Sequence, residues 1–418
     1  GSDPLKQGLL RLPFAEAALN HAFQIYGVKN REKTRSANLL NNQFEVMLEL
    51  AKHHSYPLQS ELPALTMEDH GRYNKSLLYI KDQWSSHPTM EERIARLDQL
   101  NWKVELPEKG RANSYFRNIE GTQKALTDLV YSDQDWQDAT VLSNSEFVKR
   151  WNESLVENIF PQVFNGYYDN RNFGVFDLEA AEAETGLVDR TELFSDIKLN
   201  LVYQANAIGN DIGLLQQVAQ PKAVIKTFDY DGRRYKAKEA NLLANELQNT
   251  LKGMEDELLA NDRLIYRYCI GIEKRLQRPN KLRDCYKELF TEGEEWTRRM
   301  ELAQSVHQAM AFTSYVNSYE VIYKSLDAAM HHEANLKKEL RVLLDDTLLA
   351  NEITKEMLEV VQKYLAKDLE YFNGSSYNEI ALTILQQSIS IFQYLTDRRY
   401  FLLKRSLLQV QAELYEQA

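Results

Sequence analysis

The sequence predicts a mainly helical protein. Helix breakers are sparse, with 16 glycines and 9 prolines in 418 residues. Apolar residues recur at three- and four-residue steps over long runs, and no proline follows Pro279. Only residues 222–236 read convincingly as a strand pair. There Asp231 and Gly232 give a hairpin turn signal among the strand formers Val224, Phe228, Tyr230 and Tyr235.

Taken in order, residues 4–26 read as a helix interrupted at Pro13, because proline removes a backbone donor and clashes with the preceding turn. Residues 34–55 read as a second helix and 57–63 as a loop; 70–84 fits either state. Thr89 and Glu92 form an S/T-x-x-E capping box, so a helix begins at Met90 and runs to about residue 101. From 106 to 235 aromatics mix with Asn, Asp and Gly, as in NGYYDNRNFGVFD (165–177). Short helices near 145–160 and 177–185, separated by loops, are expected there.

From 237 onward the pattern is helical. Leu243, Leu247, Leu251, Met254 and Leu258 form one apolar stripe. The stretch 294–346 reads as one helix or two. Residues 354–372 read as another, stopped by Asn373 and Gly374. Ser376 and Glu379 make a capping box opening a last helix to about 413. Its apolar residues (Ile380, Leu382, Ile384, Leu385, Ile389, Ile391, Phe392 and Leu395) cover much of its circumference, which places it centrally in a bundle. The expected organisation is 1–105, then a mixed region 106–236 ending in the hairpin, then a helical bundle 237–418.

Composition bounds the function. The chain is 44% hydrophobic, enough for sizeable cores, and its net charge of −11 argues against nucleic acid as a partner, since phosphates are repelled. Two cysteines, Cys269 and Cys285, are too few for a disulfide framework and read as small apolar residues. No secretory signal and no run of about 18 apolar residues is present.

The segment WSSHPTMEERIARL (84–97) is the most informative. Pro88 holds His87 extended just outside the helix that begins at Met90, and Arg93 falls in its first turn. An imidazole, a guanidinium and the positive end of a helix thus come together, a setting that stabilises a developing oxyanion. Composition alone gives a plainer reading: a capped amphipathic helix with Ile94 and Leu97 facing the core, and His87 and Arg93 in solvent.

A resemblance adds to this. The pattern His-Pro-x-x-(Glu)-Glu-Arg-Ile/Leu-x-x-Leu is similar to the closing motif of the zinc metallopeptidases that include the HtpX heat-shock protease and the CAAX prenyl protease. The opening GSDPLKQGLLRLPFAEAALN resembles the family segment just after the third zinc ligand. Together the two cover roughly residues 1–105. The resemblance implies a helical remnant of a zincin-type peptidase domain, with His87 and Arg93 lining the active site and holding the tetrahedral intermediate.

The departure from the family is an absent H-E-x-x-H. Among eight histidines the only His-Glu step is His332-Glu333, with no second His one turn on. The resemblance therefore implies that the zinc ligands belong to a part of the parent protein preceding Gly1. Zinc is then a cofactor of the parent protein, with none expected on this chain, which is inactive alone. It further implies a protein or peptide substrate, a position on the cytoplasmic side, and membrane attachment only through preceding segments. The alternative is a non-enzymatic helical adaptor or partner-docking module.

Other constellations carry less. Adjacent histidines at 331 and 332 point about 100° apart on a helix, so His331-His332-Glu333 reads as a solvated face. No bundle histidine has a Glu three residues before it, as a di-iron site requires. Glu68, Asp69 and His70 form a loop cluster. Tyr167 and Tyr168 beside Asp169 and Arg171 read as a buried tyrosine pair tied by an ion pair.

Overall fold

The computed structural model describes residues 1–27, 34–54, 56–59, 61–67, 69, 75–80, 90–103, 112–132, 136, 139–186, 188–220, 225–278, 280–315 and 317–417. These are mainly helical, with few and short strands. Their contacts divide into two units: residues 1–171 with 194–258, and residues 172–193 with 259–418.

In the first unit, α1 (Ser2–Gly27) runs through Pro13 without a break, which corrects the expected interruption. The missing hydrogen bond costs roughly 3 kcal/mol, and burial on both sides of the proline offsets it. Leu9 and Leu10 pack in one apolar cluster with Ala51, Tyr56, Leu65 and Ile94. Ala18, Ala22, Ile25 and Tyr26 pack in a second. That second cluster also takes Leu39, Val46 and Met47 of α2 (Leu39–His53) and Phe147 and Trp151 of a later helix, Asn144–Asn158.

The helix expected over 34–55 starts only at Leu39, capped by Asn38, whose Oδ1 accepts from Asn41 N at 3.1 Å. Residues Thr34–Ser36 instead form β1. It pairs in parallel with β5 (Thr140–Leu142), a long-range pairing that local propensity does not encode. The expected loop at 57–63 contains two-residue strands, β2 (Leu58–Gln59) and β3 (Leu62–Pro63), joined antiparallel around Glu61 at φ +64°. The next strand, β4, is Leu78–Tyr79.

The helix read at 90–101 is α3 (Met90–Leu100), followed by α4 (Ile119–Val130) and α5 (Asn144–Asn158). Two short helices, α6 (Leu178–Ala183) and α7 (Arg190–Leu193), belong to the second unit.

The largest departure is α8 (Asp196–Val218), where only short helices were expected. Asn200, Asn206, Gly209, Asn210 and Gly213 dilute its pattern. Its buried side still steps through Leu199, Val202, Ala205, Ile212, Leu215 and Val218. The predicted hairpin is present as β6 (Thr227–Tyr230) and β7 (Arg233–Lys236), with Asp231 and Gly232 at positive φ in the turn. β4 adds to β6, giving the order β4-β6-β7. Phe228 and Tyr230 pack with α8 and with the first turns of α9 (Ala240–Arg275), whose leucine stripe begins at Leu243 and Leu247.

The second unit is a bundle. The stretch 294–346 resolves into two helices, α10 (Lys281–Ala309) and α11 (Tyr319–Leu344). Helix α12 (Lys355–Ala366) ends six residues before the expected Asn373-Gly374 stop. Those two residues instead turn the chain between Phe372 and Tyr377. Gly374 has φ +90°, and Asn373 Oδ1 accepts from Ser375 N and Ser376 N. The cap of α13 (Glu379–Glu416) is Asn378 rather than Ser376, because Ser376 is engaged in that turn. Leu385, Ile389, Phe392 and Leu395 of α13 pack against Leu336, Leu340 and Leu343 of α11 and Val361 and Tyr364 of α12. Ile380 is 75% exposed, so the apolar face begins later than expected.

Two buried polar sites give testable expectations. Asn42 is 2% exposed. Its Oδ1 accepts from Tyr26 Oη and Ser36 Oγ, and its Nδ2 donates to Asn144 Oδ1 at 2.7 Å. Asn42→Ala removes the acceptor shared by two buried hydroxyls and lowers stability by about 2–4 kcal/mol in denaturant unfolding. A loss under about 1 kcal/mol would show the knot to be dispensable.

Glu333 is 5% exposed, its Oε2 accepts from Tyr364 Oη and Tyr371 Oη, and its Oε1 has no hydrogen-bond partner among the described residues. Burial pushes its carboxyl above the usual range, against the pull of the two tyrosines. The folded state therefore favours the protonated form, and this contribution to stability is lost as pH rises through the folded pKa. The Glu333→Gln variant should gain melting temperature relative to the parent as pH rises above the ordinary glutamate pKa of about 4.3. A difference that stays flat with pH would refute this.

Candidate functional site

Helix α3 is described from Met90 to Leu100, and Thr89 of the expected capping box lies outside the described residues. So do His87, Pro88, Glu68 and His70. Arg93 is half-buried in the first turn of α3, beside the exposed Glu91 and Glu92. Among the described residues its guanidinium has no hydrogen-bond or ion-pair partner. The first-turn carboxylates favour the helix dipole and reduce the positive potential there, which leaves Arg93 as the cation of this turn.

What positions Arg93 is the grip of α1 on α3. Ile94 is buried with Leu9 and Leu10, and Met90 and Leu97 pack around the same cluster with Phe14. The far ends are joined by backbone. Ser2 N donates to Trp102 O at 2.8 Å, and Trp102 N donates to Ser2 Oγ at 3.0 Å. Lys6 Nζ lies 2.6 Å from Asp98 Oδ1 and 3.0 Å from Asp3 Oδ1, and the hydrogen bonds to Asp98 and then Asp3 push its pKa up. The helices are thus antiparallel, and the opening segment meets the described part of the second one, residues 90–97.

The same cluster brings in residues that sequence reasoning passed over. Tyr56 packs its ring edge-on against Phe14 at 5.8 Å, and the His54 ring lies 5.5 Å from Tyr56. His53 Nδ1 is 3.3 Å from Gln162 Nε2. An adjacent His-His pair at a helix end gives no sequence pattern that would single it out.

The other predicted constellations resolve plainly. Tyr167 and Tyr168 are buried, with the Arg171 guanidinium over their rings at 4.7 and 5.9 Å. His331 is exposed, but Glu333 is buried, so that triplet is not a solvated face throughout. Cys269 is buried, and burial pushes its thiol up to about 12, away from thiolate chemistry. Among the described residues no group of three or more His, Cys, Asp or Glu side chains could hold a metal ion. Also among them, no helix is long and apolar enough to cross a membrane.

The bundle has its own polar centre. Glu292 takes ion pairs from Arg299 Nη1 at 3.0 Å and from Arg399 Nη1. Arg299 Nε reaches Glu339 at 3.2 Å, and Arg399 Nε reaches Asp346 at 2.6 Å. A depression of about 350 Å³ opens beside them, lined also by Lys287, Glu288, Thr291 and Glu295. Cations and carboxylates balance in this lining.

No family model matches the chain, and no curated protein or solved structure matches it.

Proposed function

We propose that this chain is the portion of a zinc-dependent endopeptidase that follows the zinc site, contributing His87 and Arg93 to oxyanion stabilisation. The observation that carries the reading is the α1–α3 clamp. The opening segment, which resembles the metallopeptidase family, packs on residues 90–97 of the second such segment, some 80 residues on, and Arg93 is left half-buried without a partner among the described residues. As a peptide carbonyl becomes tetrahedral, its oxygen gains charge. A guanidinium and an imidazole at a helix start stabilise that charge more than they stabilise the neutral carbonyl. Zinc is implied for the parent protein by the resemblance alone. The described residues offer it no ligand set, and no step assigned to this chain runs through it.

A non-enzymatic helical adaptor is the second reading. It draws on the exposed apolar side chains of Leu126, Leu129 and Val130 on α4, with Tyr115 and Phe116 just before it. The coding sequence preceding Gly1 separates the two, since the peptidase reading requires an H-E-x-x-H there and the adaptor reading does not. In the chain extended to include that motif, Arg93→Ala or His87→Ala should each lower kcat on a fluorogenic peptide by roughly 10²–10³. An unchanged kcat would remove both residues from the chemistry, and absence of the motif would leave the adaptor reading.

A further inference from the structure

The β6–β7 hairpin is basic in an acidic chain. Residues 226–239 hold five cations (Lys226, Arg233, Arg234, Lys236 and Lys238) against three carboxylates, while the whole chain carries −11. All five cations are exposed. The register sets their geometry. Directly opposed residues of an antiparallel pair share a face, so Asp229 with Arg234 and Thr227 with Lys236 occupy one face. The other face carries Phe228 and Tyr230 into the core. Arg234 and Lys236 therefore lie on the solvent face of a sheet whose other side is fixed against α8 and α9, whereas Arg233, opposed to Tyr230, and Lys226 alternate onto the Phe228 side and are nonetheless exposed.

Little on the protein neutralises these charges. Asp229 pairs with Arg234 at 3.3 Å, and Glu239 is used by the backbone, accepting from Lys236 N at 2.8 Å. Lys226, Lys236 and Lys238 have no ion-pair partner among the described residues. Arg233 lies over the Tyr235 ring at 5.1 Å. β7 is also an edge of the β4-β6-β7 sheet.

We propose that this hairpin, through its exposed cations, docks a short acidic segment of a protein partner in an extended conformation. Alternate side chains of an extended peptide repeat at about 7 Å, the spacing of Arg234 and Lys236 along β7. The size of the patch argues for a short segment. Potentials fade over about 8–10 Å at physiological salt, so a short segment feels mainly the hairpin. A long nucleic acid or an anionic bilayer also reaches the acidic remainder of the surface and is repelled there.

The test uses the full chain and a fluorescently labelled hexapeptide alternating Glu and Ser, followed by anisotropy. Saturable binding is expected at about 20 mM salt, weakened at least about tenfold at about 200 mM. The Lys226→Glu/Lys236→Glu variant should lose it with an unchanged melting curve, and Lys226→Gln/Lys236→Gln should lose part of it. Absence of binding at low salt, or equal binding by both variants and the parent, would overturn the proposal. Tighter hairpin-dependent binding to phosphatidylserine vesicles or to oligothymidylate would overturn the choice of partner.

Discussion

The geometry of the candidate site rests on the hydrogen-bonded knot around Asn42. One side chain ties α1 through Tyr26, β1 through Ser36 and α5 through Asn144, while its own backbone lies in α2. Apolar contacts alone let packed helices settle in several nearby registers. A buried amide with every partner placed allows one, because any shift leaves buried polar groups unpaired. The knot thus fixes the second half of α1. The helix continues unbroken past Pro13, so the first half is fixed too, and with it α3 and Arg93. A kink at Pro13 would disconnect the knot from the site.

The bundle uses charge for the same purpose. Its apolar surfaces are leucine-rich, which gives strong but permissive packing. Glu292, Arg299, Glu339, Asp346 and Arg399 are satisfied together in one axial arrangement of α10, α11 and α13. Burying such groups gives little net stability, and a one-turn slip would leave several of them uncompensated. The network is best understood as a register lock, and the balanced charge around its depression fits that role.

Much of the architecture was legible in the sequence because it is local. The helical run of α3, the β6–β7 turn and the leucine stripe of α9 follow from a helical period, an Asp-Gly turn and a second helical period. What was not legible depends on distant partners. Thr34–Ser36 looks like the lead-in to a helix, and only its pairing with residues 140–142 makes it a strand. Pro13 signals a break until clusters on both sides hold the helix together. Helix α8 hides behind its asparagines and glycines, and Asp211 within it is buried because Ser76 and the amide of Leu77 satisfy its carboxylate. Burial pushes the Asp211 carboxyl above its usual range even so. At the site, the sequence marked Arg93 and its helix, whereas nothing in it indicated that the Ser2 end of α1 would close on Trp102.

Net charge sets the range over which the positive features can act. Beyond the Debye length the field of the chain is screened, and within it the summed charge of −11 disfavours anions, so neither Arg93 nor the basic hairpin can steer a charged ligand from afar. Each acts at contact range, where a local cation outweighs the distant carboxylates. For Arg93 this suits charge that appears only during a reaction, since a neutral carbonyl is not repelled on approach. For the hairpin it implies modest association rates, strong salt dependence and a preference for segments short enough to avoid the acidic surroundings. The acidic majority of the surface therefore acts as a filter on what the few exposed cations can hold.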